Sequence, residues 1–223
     1  MNRSPILVFC DFDGTVAKRD VGYSLFHHFS GGRNDDLIPD WKAGRISSRE
    51  ILLKEAAMVN ATEQEIYDFL DHFDIDSGFA EFEALCRAND TEPIIVSEGL
   101  DFYIRHVLNR HNLGHLKVIC NHGYLEENSI KIEFPYQNRS CRRCGSCKGE
   151  RIAEYRAKVP PGCKVVFAGD GYSDACAARE ADVLFAKKDL QEYCIRENIR
   201  YNTYVDFSEV GIRMIELGLL GRP

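Results

Sequence analysis

The chain has 223 residues, 44% hydrophobic and 28% charged, with 28 Lys+Arg against 35 Asp+Glu and a net charge of −7. At about 100–200 residues per domain, this length holds one domain or one core with a modest insertion, and the composition is too apolar for a disordered chain. The negative balance argues against nucleic-acid binding, which rests on clustered Lys and Arg, and no apolar run reaches the roughly 18 residues of a membrane span.

Met1-Asn2-Arg3-Ser4-Pro5 leads straight into the apolar run Ile6-Leu7-Val8-Phe9-Cys10. A signal peptide needs about 7–15 apolar residues and a small-residue cleavage site, so a cytosolic protein is expected. The first run reads as a buried parallel strand, as do Pro93-Ile94-Ile95-Val96, Lys164 to Ala168 and Val183 to Ala186, with Lys117 to Cys120 as a shorter fifth. Helical spacing runs over Phe79 to Ala88 and Leu100 to Leu108. Strand alternating with helix points to an α/β fold, a Rossmann-like parallel sheet with helices on both faces.

More than eighty residues without a convincing strand separate the first strand from the second. Ser47-Ser48-Arg49-Glu50 and Thr62-Glu63-Gln64-Glu65 carry helix-capping signals there. A crossover needs little more than about a dozen residues. Residues 16–76 are therefore expected to be a helical module inserted after the first strand, with 1–15 and 77–223 forming the core. A run of ordinary crossover helices is the alternative.

Ligands of open α/β sheets bind at the carboxyl ends of the strands. Those ends read Asp11-Phe12-Asp13-Gly14-Thr15, Ser97-Glu98-Gly99 and Gly169-Asp170-Gly171-Tyr172-Ser173-Asp174. In extended chain Asp11 and Asp13 point the same way, and two close carboxylates call for a cation, a proton or a division of labour. Asp170 could complete an all-oxygen site suited to Mg²⁺. Loop acids capping backbone N–H groups are the plainer alternative.

In order along the chain, Asp11-Phe12-Asp13-Gly14-Thr15, Ser97, Lys148 and Gly169-Asp170-x-x-x-Asp174 resemble the four motifs of the haloacid dehalogenase superfamily phosphatases. The inserted module resembles the cap of the phosphoserine-phosphatase-like members. The resemblance implies Asp11 as nucleophile, forming an aspartyl-phosphate, and Asp13 as general acid and base. It implies Mg²⁺ on the Asp11 carboxylate, the Asp13 carbonyl and Asp170. Thr15, Ser97, Glu98, Gly99 and Lys148 would bind phosphate or substrate, and Asp174 would orient Lys148 or a metal-bound water. Asp20 stands where phosphoserine phosphatases carry a Glu that recognises substrate, and it also reads as the N-cap of a helix at Val21 to Phe29.

Ser97-Glu98-Gly99-Leu100-Asp101-Phe102, Cys120-Asn121 and Cys144-Gly145-Ser146-Cys147-Lys148 resemble the branch containing 2-hydroxy-3-keto-5-methylthiopentenyl-1-phosphate phosphatase of methionine salvage. Phosphoserine and phosphocholine/phosphoethanolamine phosphatases are the alternatives within the superfamily. The implied reaction is hydrolysis of a small-molecule phosphate monoester, with no nucleic-acid or membrane partner and an open oligomeric state. A non-catalytic module phosphorylated on Asp is the alternative of another class. Such a receiver carries its phosphorylated Asp after a middle strand and has no helical insertion of this size.

Nine cysteines, an odd count without a secretory signal, argue for reduced thiols. Cys141, Cys144 and Cys147 lie just before Lys148. With Cys120 they could bind zinc, or form a redox-sensitive group favoured by Arg142 and Arg143, or be a tight turn of reduced thiols. The seven histidines show no metal-like spacing, and Phe26, Phe29, Trp41 and Tyr67 could face substrate or pack within the insertion.

Overall fold

The computed structural model describes residues 5–136 and 138–222; Met1 to Ser4, read above as part of the N-terminal segment, lie outside them. In chain order the elements are β1 (Ile6–Cys10), α1 (Val21–Ser30), α2 (Ile38–Lys42), α3 (Ser48–Ala56), α4 (Glu63–Leu70) and α5 (Phe79–Arg87). Then follow β2 (Pro93–Leu100), α6 (Asp101–Arg110), β3 (Val118–Glu126), β4 (Ser129–Glu133), α7 (Lys148–Arg156) and β5 (Lys164–Gly169). The chain closes with α8 (Ala175–Glu180), β6 (Val183–Ala186), α9 (Asp189–Arg196), β7 (Asn202–Thr203) and α10 (Phe207–Glu216).

One seven-stranded sheet has the order β4-β3-β2-β1-β5-β6-β7. All its pairings are parallel except β3 with β4. The sheet is buried on both faces because its strands alternate between two apolar layers. Val8, Cys10, Val166 and Ala168 join one layer with α1, α5 and α6, while Phe9, Val165, Phe167 and Leu184 join the other with α7, α8 and α9. Two-sided burial explains why these strands read as unbroken apolar runs.

The hairpin β3–β4 was not expected. Its turn, Glu127-Asn128, has φ of +46° and +62° at successive residues. Two positive φ values match the twist of tight hairpins, but such turns usually announce themselves with Asn-Gly or Asp-Gly. β2 also runs beyond Val96 through Ser97-Glu98-Gly99, where its pairing with β3 slips before resuming at Leu100 opposite Asn121.

Both capping signals form as read. The Ser47 and Thr62 side chains accept from Glu50 N and Glu65 N, and each glutamate reaches back to its cap. The two ends of the segment between β1 and α5 run side by side. Asp76 N donates to Val16 O at 2.7 Å, Lys18 N to Asp74 O at 3.0 Å, and Ala17 bridges Ile75. No helix among the described residues is long and apolar enough to cross a membrane.

Candidate active site

After β1 the chain turns outward through β2 to β3 on one side and, later, through β5 to β6 on the other. Strand order reverses between β1 and β5, and the crevice outside that point is where an open α/β sheet presents ligand groups. Asp11 leaves β1 with its amide bound to Ala168 O of β5 at 2.9 Å. A wide turn follows, in which Val16 N and Ala17 N reach back to Asp11 O and Phe12 O. Gly14 takes φ +72° in it, a left-handed conformation that costs glycine nothing.

The centre is an ion-paired cluster. Lys148, the first residue of α7 and 1% exposed, sends its three ammonium donors to Asp11 Oδ1 at 2.6 Å, Asp174 Oδ1 at 2.6 Å and Ser173 Oγ at 3.2 Å. Burial alone would strip a lysine of its proton. The Asp11 and Asp174 carboxylates outweigh that and push the Lys148 pKa up. Asp174 is itself fixed, since its Oδ2 accepts from Asp170 N at 2.9 Å and Gly171 N at 3.0 Å. Both its oxygens are engaged, so it positions Lys148. Asp170 accepts from Thr15 Oγ1 at 3.3 Å and from Lys188 Nζ at 2.8 Å.

Asp13 is held from two sides. Its Oδ1 accepts from Val21 N at 2.9 Å and Gly22 N at 3.0 Å, the first amides of α1, and its Oδ2 accepts from Tyr103 Oη at 3.0 Å. Helix N-termini favour a negative charge, yet burial outweighs these bonds and raises the Asp13 carboxyl above its usual range. Asp11 is raised further, first by burial and then by repulsion from Asp174. An upward shift makes a carboxyl a readier proton donor, the property a general acid needs.

Ser97 is buried at the slip in β2, with its Oγ accepting from Gly99 N at 2.9 Å and lying 3.4 Å from Asp13 Oδ2. Glu98 keeps both carboxyl oxygens buried without a hydrogen bond of good geometry, and burial pushes its pKa up despite Cys144 and Ser48 nearby. Asp20 does two things at once: it caps α1 through Tyr23 N at 2.8 Å and lines the cavity. It is open to cavity water but enclosed by protein, and that enclosure, with Asp13 adding repulsion, moves its carboxyl up.

The cavity above this rim measures about 690 Å³. Core residues Asp11, Asp13, Ser97, Lys148 and Asp170 form its floor, and Phe26, Ile38, Trp41, Ile51 and Glu55 of the segment between β1 and α5 form its roof. Phe26 and Trp41 thus face the cavity. Phe29 packs on Phe69 and Tyr67 on His106, so these two rings serve packing between helices.

Two groups were missed at the level of sequence. Tyr103, fully buried on α6, orients Asp13 but looked like one more apolar helix position. Lys188 follows β6 and belongs to none of the motifs singled out above. It holds φ +50°, rare for a residue with a side chain, and donates to Gly14 O at 3.2 Å as well as to Asp170. The signal available for Lys188 was its place at the carboxyl end of a predicted strand.

Carboxylate oxygens of Asp11, Asp170 and Asp174 lie within 4.8 Å of one another. Four carboxylates, counting Asp13, face the two ammonium groups of Lys148 and Lys188. The donors are oxygen only and the negative charge is in excess, so the set fits a hard divalent cation such as Mg²⁺. With Asp174 committed to Lys148 and two amides, Asp11 and Asp170 are the carboxylates left to hold it.

A second cluster lies just behind Lys148. Cys141, Cys144 and Cys147 gather with Cys176 of α8, while Cys120 sits on β3 within the apolar layer that also holds Val8. The grouping with Cys120 is thus corrected: a strand residue packed into the core cannot reach the loop, whereas α8 lies against α7.

Residues 6–207 match a family described as "Putative Phosphatase". The 2-hydroxy-3-keto-5-methylthiopentenyl-1-phosphate phosphatase of Brevibacillus brevis is 28% identical over 222 residues, covering 95% of each chain. Among solved structures, a haloacid-dehalogenase-family hydrolase from Salmonella enterica serovar Typhi superposes with a TM-score of 0.73 at 16% identity, over 93% of this chain and 70% of that one. A phosphoserine phosphatase from T. onnurineus gives 0.69 at 16% identity, over 96% and 97%. The last two share the fold. With its motifs assembled at one rim and the family match spanning nearly its whole length, the chain belongs to this family of putative phosphatases.

Proposed function

We propose that the protein is a Mg²⁺-dependent phosphomonoesterase of the cytosol that works through an aspartyl-phosphate on Asp11. One observation carries the reading: Asp11 and Lys148 form a buried pair at 2.6 Å beside Asp13, whose carboxyl is held up by burial. All nine cysteines are free, which suits a reducing compartment.

In the first step an Asp11 carboxylate oxygen attacks phosphorus, the ester P–O bond breaks, and Asp13 gives its proton to the departing oxygen. In the second, Asp13 takes a proton from water, which attacks phosphorus and frees Asp11 and inorganic phosphate. Lys148 sets its positive charge against the phosphoryl oxygens, exchanging its bond to Ser173 for one of them, and Ser97 orients them. The Asp11 carboxylate, the Asp13 carbonyl and Asp170 would hold Mg²⁺. The ion supplies positive charge against nucleophile and phosphate.

Residues 16–76 act in this reading as a cap. Their paired ends at Val16–Asp76 and Lys18–Asp74 make a two-strand hinge, and closure would exclude water from the cavity. The roof of Phe26, Ile38, Trp41 and Ile51 suits an ester with an apolar body. That agrees with a methionine-salvage enol phosphate carrying a methylthio group, the compound named for the Brevibacillus relative. An amine-bearing ester, such as phosphoserine or phosphoethanolamine, is the second reading. It is favoured by Asp20 and Glu55 on the cavity wall.

The test is a hydrolysis screen with Mg²⁺ present. It sets the methylthio enol phosphate against phosphoserine, phosphoethanolamine, phosphocholine and a generic aryl phosphate. A preference for the methylthio ester supports the first reading, and a preference for an amine supports the second. Hydrolysis of none of them would remove the enzyme reading.

A further inference from the structure

The phosphatase chemistry makes no use of the thiols behind Lys148. The four Sγ atoms of Cys141, Cys144, Cys147 and Cys176 lie within 4.8 Å of one another, and none is in a disulfide. A zinc ion bound tetrahedrally at about 2.3 Å from each sulfur sets them about 3.8 Å apart. The cluster is therefore already within about one ångström of a zinc cage.

The loop that presents three of these thiols is built from behind. Glu150, in the first turn of α7, accepts from Ser140 N and Cys141 N, each at 2.8 Å, and also from Arg139 N. Asn138 donates to Cys144 O at 2.8 Å and accepts from Cys147 N at 3.0 Å. Two side chains thus hold one backbone group of each of the three cysteines, as partners beyond the ligands do in metal sites. The fourth thiol arrives because α8 packs closely on α7: a Cβ at Gly149 would stand 2.6 Å from Cys176 O.

We propose that Cys141, Cys144, Cys147 and Cys176 bind one structural zinc ion, which clamps the loop before α7 to the start of α8. Binding displaces the thiol protons to solvent and leaves the zinc fully coordinated by sulfur, with no open position for catalysis. The placement has a consequence. Cys147 precedes Lys148, and Cys176 lies two residues after Asp174. The clamp therefore joins the two segments whose side chains make the Lys148–Asp174 pair at 2.6 Å, and zinc positions Lys148 without touching substrate.

Zinc content tests this independently of any catalytic reading. Full-length protein purified under reducing conditions from zinc-supplemented cells should carry one equivalent of zinc, with an X-ray absorption spectrum showing four sulfurs at about 2.3 Å. Cys176→Ser and Cys141→Ser should each lose most of it, while Cys163→Ser, altered outside the cluster, should keep it. Where the variants fold, the melting temperature should fall and turnover of an aryl phosphate should drop with thermal inactivation. Wild-type protein that remains metal-free after reconstitution with zinc under reducing conditions would overturn the assignment. So would iron in place of zinc, disulfides among these cysteines in reduced preparations, or full zinc retention in both serine variants.

Discussion

The floor and the roof of the cavity are built on opposite principles. The floor is a charged lattice in which Lys148 spends all three donors and Asp13 is held by two helix amides and a tyrosine. The roof is largely apolar and carries isolated acids, among them Glu55, whose buried carboxyl has one amide donor, Asn34 Nδ2 at 3.2 Å. Burial pushes Glu55 up to about 7. A reaction on phosphate needs fixed charges whose positions do not change with the ester, and these come from the rim of a rigid sheet. Discrimination between esters needs shape, which the proposed cap would supply. The two walls meet at Asp13, a floor residue held by the first amides of a roof helix.

If that division holds, floor variants should remove turnover of every ester and roof variants should reorder the esters. Asp11→Asn should have the largest effect, lowering kcat by roughly 10⁴-fold or more with an unchanged circular-dichroism spectrum. Turnover like that of the wild type would end the nucleophile assignment. Exchange into Mg²⁺-free buffer should silence the enzyme, and added Mg²⁺ should restore it; activity persisting there would count against a cation at Asp11 and Asp170.

Tyr103→Phe keeps the ring and deletes one hydrogen bond to Asp13, so kcat should drop about tenfold, equally for all esters. A change confined to KM would move Tyr103 from orienting the acid to contacting substrate. Trp41→Ala should raise KM about tenfold for an ester with an apolar tail and leave kcat for an aryl phosphate close to wild type. An equal loss of kcat for both would break the comparison, because the roof would then share in the chemistry.

The smallest effect is on stability. Glu55 has a folded pKa of about 7 against 4.5 in a free chain, so between those values the folded state binds more protons than the unfolded state. Its favourable contribution is complete below about pH 4.5 and is lost as pH rises to about 7, by at most about 3 kcal/mol. Denaturant midpoints of Glu55→Gln should vary less with pH across that window than those of the wild type. Parallel profiles would show that Glu55 is already ionised in the fold.

Several features were legible from local pattern. The strands at Ile6, Pro93, Lys164 and Val183 are buried on both faces, which leaves a continuous apolar run. The caps at Ser47 and Thr62 form within three residues, so no distant partner is needed. The acids after β1 and β5 follow from the rule that such sheets bind at their carboxyl edge. By contrast, Tyr103 wears the pattern of a core helix residue, and only the approach of α6 to the turn after β1 brings its hydroxyl onto Asp13. Lys188 and Cys176 lie 174 and 29 residues from the groups they join, Gly14 and Cys147. Lys188 is marked only by its place after a strand, and nothing in its spacing marks Cys176.

The order and chemistry of the rim residues were therefore set by sequence, because strand burial and strand-end position are local properties. Which oxygen faces which ammonium, and which cysteine completes the thiol cluster, were settled only in three dimensions. Those contacts depend on the strand order β2-β1-β5 and on the close packing of α7 against α8, where residues far apart in the chain come within a few ångströms.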